Sequence, residues 1–112
     1  MVQYQLDLDR TFSALSDPTR RAILERLGRG PATIGELAGP FGMSLTGLKK
    51  HVHVLEEADL VVTQKVGRTR RCHLGPGRLE DATRWIEKHR SSWERRLDRL
   101  EGYIEERRGG DG

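Results

Sequence analysis

The chain has 112 residues, 20 of them lysine or arginine and 17 aspartate or glutamate, which gives a formal charge of +3. This length fits one small domain with a single core, and no apolar run approaches the roughly 20 residues of a membrane-spanning helix. The start, MVQYQLDLDR, lacks the pattern of a secretory signal and the lone cysteine, Cys72, excludes an internal disulfide, so we expect a soluble cytoplasmic protein.

Two helices are predicted near the amino terminus. The first is short and ends near Ser16, and its apolar side chains recur at helical spacing: Leu8, Phe12 and Leu15. The second lies in SDPTRRAILERLGRG, where Asp17 is a good N-cap, Pro18 suits the first helical position, and Gly28 and Gly30 end the helix. Its buried stripe is predicted to contain Ile23, Leu24 and Leu27.

Two further helices, joined by a tight turn, are predicted between Thr33 and Val61. The first ends at Pro40 and Gly42, because proline does not continue a helix and glycine tolerates the backbone of a turn. The second begins after Ser44, a good N-cap, and its buried stripe has the spacing i, i+4, i+7: Leu48, Val52 and Leu55. Its other faces carry small, donor-bearing and cationic side chains, which suit a DNA major groove.

A basic hairpin, or wing, is predicted directly after these helices, from Val61 to Leu74. Its strands are VVTQKV and TRRCHL, around a turn at Gly67 and Arg68. From Val62 to Leu74 the sequence holds no aspartate or glutamate but four cations: Lys65, Arg68, Arg70 and Arg71. Phosphates are the natural partner of such a cluster. The alternative is that these charges only keep an edge hairpin soluble and unpaired, but their place after a helix-turn-helix favours nucleic acid.

The last predicted segment, about residues 78–107, follows the break Gly75-Pro76-Gly77 and forms one helix or two consecutive helices. Apolar positions recur at steps of three or four: Leu79, Ala82, Ile86, His89, Trp93, Leu97, Leu100 and Ile104, flanked by Trp85 and Tyr103. So small a core cannot easily cover this stripe, so we expect it to pack against a second subunit. The alternatives are a helix that folds back on its own domain, or a ligand pocket walled by the two tryptophans.

The predicted fold is therefore mainly α with a small β-hairpin, a winged helix-turn-helix with a C-terminal dimerisation helix. We expect a single domain over residues 1–108, with the core and wing in 8–74 and the dimerisation helix or helices in 78–107. Residues 109–112 are too rich in glycine to be ordered and are predicted to form a disordered tail.

Several motifs in this order resemble a known family: SDPTRRAILERL, GELA, MSLTGLKKHVHVLEEADLV and GRTRRCHL. The chain is similar here to the ArsR-type (ArsR/SmtB-like) winged helix-turn-helix repressors of bacteria, in a branch that lacks metal ligands. The similarity is close over about Leu8 to Leu74 and loose in the last helix. It implies a homodimer whose first and last helices form the interface, and whose recognition helices enter successive major grooves of an inverted repeat in double-stranded DNA.

The candidate site residues follow from the pattern and the resemblance together. On the recognition helix they are Ser44, Leu45, Thr46, Gly47, Lys49, Lys50, His51 and His53. On the wing they are Lys65, Arg68, Thr69, Arg70 and Arg71. The predicted dimer interface contains Leu8, Phe12, Trp85, Ile86, His89, Trp93, Leu97, Leu100 and Ile104. For His51, beside the buried stripe, a structural hydrogen bond is the alternative to a DNA contact.

Departures from the family pattern bear on metals. Members that sense toxic metals in their third helix carry cysteines where this chain has Ala38–Pro40, and others use a carboxylate and several histidines in the last helix, where this chain offers only His89 beside Asp81 and Glu87. We therefore predict no metal and no cofactor, and the inducer is unknown. Asp59 stands where the helix-ending residue is usually glycine, and aspartate tolerates the left-handed conformation this position requires.

No phosphate loop, paired carboxylates or Ser/His/Asp arrangement is present, so we predict a non-enzyme. The expected function is that of a dimeric, sequence-specific transcriptional repressor, acting at its own promoter region. One alternative is a winged-helix module that binds a protein. Another is a metal- or redox-responsive repressor, in which Arg70 and Arg71 would depress the pKa of the Cys72 thiol and make it reactive; against this stands a small buried strand cysteine.

Overall fold

The computed structural model describes residues 2–76 and 79–110. Its helices are α1 (Val2–Leu15), α2 (Pro18–Leu27), α3 (Ile34–Phe41), α4 (Leu45–Glu57) and α5 (Leu79–Gly110), and its strands are β1 (Ala32–Thr33), β2 (Val61–Val66) and β3 (Thr69–Leu74). The chain divides into two compact units, Met1–Ala82 and Thr83–Gly112. The predicted fold class, mainly helical with a winged hairpin, is confirmed. Within the described ranges, no helix has the length and apolarity needed to cross a bilayer.

Helix α1 is longer than its apolar periodicity indicates. It begins at Val2, although the first position of the predicted stripe is Leu8. Leu8 and Ala14 are buried, whereas Leu6 is exposed. An apolar stripe predicts the part of a helix that carries it, so the predicted bounds did not include the residues before Leu8.

The local chemistry of the caps explains where α2 and α3 begin and end. The Asp17 carboxylate accepts a hydrogen bond from the Arg20 backbone N–H at 3.0 Å, as expected for the N-cap of α2. A capping box opens α3: the Thr33 hydroxyl accepts from the Glu36 N–H at 3.1 Å, and the Glu36 carboxylate accepts from the Thr33 N–H at 3.2 Å. The T-x-x-E spacing was a readable signal for this box.

The prediction that Pro40 helps to end α3 is wrong. Pro40 lies inside the helix, and the helix ends only at Gly42, which has a left-handed φ of 63°. In the last turn a proline removes one intrahelical hydrogen bond without preventing the turn. The closing bonds run from the Gly42 N–H to the Gly39 carbonyl at 3.1 Å and from the Met43 N–H to the Ala38 carbonyl at 3.2 Å.

The core of the first unit is built around the inner face of α4. Its three predicted stripe residues, Leu48, Val52 and Leu55, are at most 2% exposed. They share one cluster with buried side chains of α2, α3 and the sheet: Ile23, Leu27, Ile34, Leu37, Val61 and Cys72. Burying each large aliphatic side chain contributes about 1.5 to 3 kcal/mol, so the rotation of α4 about its own axis is strongly fixed.

The sheet has three strands, one more than predicted. Strands β2 and β3 form the expected antiparallel hairpin, and β1 pairs antiparallel with the other edge of β3, giving the order β1-β3-β2. The β1 pairs are Ala32 with Cys72 and Thr33 with Arg71. A strand of two residues is too short to show alternation, so periodicity could not detect it.

The turn between α4 and β2 depends on Asp59. Its φ is 58°, and it is the one described non-glycine residue with a positive φ. The Leu60 N–H donates to the Leu55 carbonyl at 3.0 Å, which closes the end of the helix. The prediction that aspartate would serve here in place of glycine is confirmed.

Helix α5 runs without a break from Leu79 to Gly110, which settles the choice between one helix and two. The predicted start at residue 78 lies outside the described residues. The helix includes Gly109 and Gly110, and the disordered tail over residues 109–112 stays a prediction. Residues 111 and 112 of the predicted tail lie outside the described residues.

A close backbone approach at Gly75 generates a prediction about stability. The Gly75 N–H donates to the Leu60 carbonyl at 2.8 Å, and a Cβ at Gly75 would overlap the carbonyl oxygen of Asp59. Gly75→Ala should therefore lower the free energy of unfolding by about 2 kcal/mol. Urea denaturation measures this change.

The matched control is Gly39→Ala in α3, where an added Cβ would meet no atom within 4 Å. This variant should gain up to about 1 kcal/mol from helix propensity. Similar stability changes in the two variants would contradict the close approach at Gly75.

Candidate nucleic-acid interface

Helix α4 presents two different outer faces. The Ser44 hydroxyl caps its start by accepting from the Gly47 N–H at 3.1 Å. Because residues at i, i+4 and i+7 share a face, Thr46, Lys50 and His53 lie together, and all three are exposed. Leu45 and Lys49 lie on the neighbouring face and are also exposed.

Gly47 has an internal reason to be glycine. A Cβ there would lie 3.2 Å from the Ser44 hydroxyl and 3.5 Å from the Met43 methyl. Because Gly47 has no side chain, the Ser44 N-cap is not crowded, and the surface of α4 has no protruding group at this position.

His51 does not lie on either outer face of α4. It is half-buried, with its Nδ1 3.7 Å from the Asp17 carboxylate and 3.3 Å from the Arg20 guanidinium. Arg20 also donates to the Ala14 and Ser13 carbonyls, both at 2.9 Å. His51 thus joins a polar cluster that ties the end of α1 to α4, which is the structural alternative rather than a DNA-facing position.

The surroundings of Asp17 change the pKa of its carboxyl group. Its pKa is lowered from the usual 3.8, first by the hydrogen bond from the Arg20 backbone N–H and also by the nearby charges of His51 and Arg20, against a smaller opposing effect of burial. The carboxylate form therefore persists to lower pH than in an isolated aspartate.

The wing concentrates exposed cations on both of its faces. A two-residue turn at Gly67 and Arg68 sets the register, with Val66 opposite Thr69 and Lys65 opposite Arg70. All five predicted wing residues are exposed: Lys65, Arg68, Thr69, Arg70 and Arg71. Side chains alternate along a strand, so Arg70 shares a face with Lys65, whereas Arg71 lies on the other face.

The wing tip and α4 meet at a cleft of about 250 Å³. Its lining comes from the start of α3, the first half of α4 and the turn of the wing: Ile34, Gly35, Leu45, Lys49, Arg68, Thr69 and Arg70. Three cations from two elements therefore converge above an apolar floor. Sequence reasoning found five of these seven residues, but it missed Ile34 and Gly35 because no local pattern indicates that α3 touches the wing.

The other end of α4 is acidic. The exposed Glu57 carboxylate lies beside His53, with 2.9 Å between the Oε1 and Nε2 atoms, and Glu56 accepts a hydrogen bond from Thr63 at 3.2 Å. The surface is therefore polarised along α4, with its positive end where the cleft lies. An anionic partner is attracted to that end.

The predicted dimer residues fall into two groups. Leu8 is buried within its own chain and Phe12 is half-buried. On α5, five of the predicted interface side chains are exposed: Ile86, Trp93, Leu97, Leu100 and Ile104. Within the second unit, His89 stacks on Trp93 with ring centroids 5.4 Å apart, and Trp85 meets the same two rings at 4.6 and 5.7 Å.

Comparisons with known proteins agree with this geometry. A family model described as a helix-turn-helix domain matches residues 15–64. Transcriptional repressor SdpR of Bacillus subtilis is 32% identical over 79 residues, which cover 70% of this chain and 88% of SdpR. The crystal structure of the ArsR family transcriptional regulator RHA00566 matches with a TM-score of 0.76 and 45% identity, over 84% of this chain and 97% of that one.

The chain belongs to the ArsR family. Another match is HTH-type transcriptional regulator Rv2034 of Mycobacterium tuberculosis, 44% identical over 68 residues, or 61% of this chain. The matched segment spans 64% of that relative's length. The resemblance inferred from the sequence motifs is confirmed.

In this ArsR family member, no group of three or more His, Cys, Asp and Glu side chains in the described part of the chain is placed to hold a metal ion. The Nε2 atom of His73 is buried and has no hydrogen-bond partner. His73 neighbours Cys72 on β3, but alternation sends the two side chains to opposite faces.

The environment of Cys72 contradicts the redox alternative, which required an accessible thiol with a lowered pKa. The side chain is fully buried, and burial, with a further contribution from the charge of Glu56, raises the pKa of its thiol to about 11. Arg70 opposes this only in part, so the lowered pKa that the redox alternative requires is absent, and Cys72 is the small buried strand cysteine that stood against it. Desolvation outweighs the nearby positive charge because the sulfur faces the core.

The folded protein should therefore react slowly with thiol reagents at neutral pH. We expect labelling of Cys72 by an aromatic disulfide to be on the order of a hundredfold slower than in the urea-unfolded chain, since little thiolate is present and the sulfur is covered. Equal rates in the folded and unfolded protein would contradict the buried thiol.

Proposed function

We propose that this protein is a dimeric, sequence-specific DNA-binding repressor, in which α4 reads the major groove and the wing holds the phosphate backbone. The observation that carries the proposal is the convergence of Lys49, Arg68 and Arg70 at one cleft between α4 and the wing. Two different elements, α4 and the wing, supply cations to the same surface. This arrangement is what a duplex requires of a winged helix.

The register of the wing supports an anionic partner. Lys65 and Arg70 are directly paired across β2 and β3, and like charges in opposed positions destabilise a hairpin. A phosphate between or beside them relieves this repulsion, so the isolated protein carries a cost that DNA removes. Solubility alone does not require the two cations to face each other.

We assign the two outer faces of α4 to different parts of the DNA. Lys49 lines the cleft with the wing cations, and we assign it to the phosphate backbone. Thr46, Lys50 and His53 share the other exposed face and are assigned to base edges, where Lys50 would donate to guanine and Thr46 would contact a thymine methyl. Gly47, between them, lets the helix approach closely.

The exposed row on α5 supports a second copy of this chain as partner. Leu97 is 62% exposed and Trp93 is 48% exposed, and the row repeats at the three- and four-residue steps that pair helices. Each subunit then supplies one reading helix, and a two-fold dimer fits an inverted repeat. Repression is proposed because SdpR, a relative covered over 88% of its length, is a transcriptional repressor. Action at its own promoter region is part of the same proposal.

Fluorescence anisotropy of the purified protein tests the proposal, with the DNA upstream of its own gene, a random duplex as competitor, and a salt series. We expect a preference of about 10³-fold or more for the upstream DNA. Equal and weak binding to both duplexes would overturn sequence specificity at that promoter. No binding to DNA at low salt would favour the alternative function, a winged-helix module that binds a protein.

Two substitutions separate the phosphate contacts from the base contacts. Arg70→Ala should weaken binding to every sequence and lower the salt slope by about one, whereas Lys50→Ala should cost about 1 to 3 kcal/mol, mainly at one base pair. Binding isotherms on the upstream DNA and on single-base variants measure both effects. Equal losses on upstream and random DNA for both variants would contradict the division of roles.

The proposed dimer is tested by a charge in the exposed row of α5. Leu97→Glu should raise the dimer dissociation constant by at least about a hundredfold, because it places a charge in an apolar interface. The matched control is Arg95→Glu, since a two-residue step turns the side chain to nearly the opposite face of the helix. Sedimentation velocity measures both, and equal dissociation in the two variants, or a monomeric wild type, would exclude this interface.

A further inference from the structure

Three side chains from three elements form a continuous hydrogen-bonded chain beside the proposed DNA surface. The Thr63 hydroxyl, on β2, donates to the Glu56 carboxylate, on α4, at 3.2 Å. The same oxygen accepts from Arg70, on β3, with distances of 3.2 Å to Nε and 2.7 Å to Nη2. One hydroxyl therefore joins the end of the recognition helix to a cation of the wing.

The chemistry of these groups fixes the direction of the chain. A carboxylate only accepts hydrogen bonds and a guanidinium only donates them, while a hydroxyl does both. The single hydroxyl hydrogen of Thr63 is used towards Glu56, so its lone pairs face Arg70. All three bonds involve a charged group, which makes them stronger than bonds between neutral groups. Glu56 and Thr63 are half-buried whereas Arg70 is exposed, so the free end of the chain is the guanidinium.

The register explains why Arg70, and not its neighbour Arg71, reaches Thr63. Thr63 is paired with Cys72, and Lys65 is paired with Arg70. Arg70 therefore lies diagonally opposite Thr63 on the same face of the hairpin, within reach of a long side chain. Arg71 projects from the other face.

We propose that Glu56 and Thr63 are positioning residues, which hold the Arg70 guanidinium ready to bind a DNA phosphate. The proposal rests on the proposed function. Arg70 has five N–H donors, and the bonds to Thr63 leave donors free for a planar, two-point contact with phosphate. Holding the side chain in place before binding removes part of the entropy cost of ordering a long arginine. Because Glu56 belongs to α4, the chain also sets the spacing between the recognition helix and the wing.

A double-mutant cycle with Arg70 tests this role. The probe is a random-sequence duplex at low salt, because a backbone contact does not need the operator. Thr63→Val, which removes the hydroxyl and keeps the shape, should weaken binding about tenfold. Thr63→Ser, which restores the hydroxyl, should bind within about twofold of the wild type. In the Arg70→Ala background, Thr63→Val should have no further effect, since the residue that it positions is absent.

Arg71→Ala supplies the matched control on the opposite face of the wing. Thr63→Val should retain its full tenfold effect in that background. An equal effect of Thr63→Val in the Arg70→Ala background would overturn the proposal, as would a Thr63→Val protein that binds like the wild type. If Thr63→Val fails to fold by circular dichroism, Glu56→Gln replaces it in the same cycle. A wild type that binds no duplex would overturn the proposed function itself, which is a distinct outcome.

Discussion

The burial of one stripe of α4 is the constraint on which the rest of the structure depends. Leu48, Val52 and Leu55 pack into the core of the first unit, and each residue of a helix is turned about 100° from the last. Once that stripe is inside, the directions of Lys49 and Lys50 are no longer free. The exposed faces of α4 are thus set by apolar packing, so the core determines the geometry of a surface it does not touch.

The wing is arranged at a cost to the folded chain. Its register places Lys65 opposite Arg70. The carboxylate of the hydrogen-bonded chain, Glu56, is linked to Arg70 through the Thr63 hydroxyl and not directly. A structure selected for stability alone would pair these cations with acids directly. Here the Glu56 carboxylate offsets the positive charge of Arg70 only in part. The guanidinium is held in place by hydrogen bonds, but no carboxylate of the described residues pairs with it directly. That balance suits a surface whose charges are completed by a partner.

The sequence was informative where a signal is local and poor where contacts are long-range. Caps, apolar steps and turn glycines located α2, α4 and the hairpin. The left-handed Asp59 followed from the resemblance, because the family usually has glycine at this helix end. The same reasoning could not detect β1, since two residues show no period. It offered a structural hydrogen bond for His51 but could not name the partners on the distant Asp17 and Arg20. The Thr63 hydrogen bonds were also missed, although the two-residue turn, once accepted, fixes the register that allows them.

The modest charge of the chain bears on how such a surface would bind tightly. A net charge of +3 gives little long-range attraction, and three cations at one cleft release only a few counterions per subunit. In the proposed dimer, two such surfaces joined through the exposed row of α5 would act as linked sites, where the second contact forms at high effective concentration. Binding would then depend on the spacing of two half-sites more than on total charge, and a duplex with one half-site would lose most of the affinity. In this arrangement the apolar face of α5 contributes to DNA recognition without touching DNA.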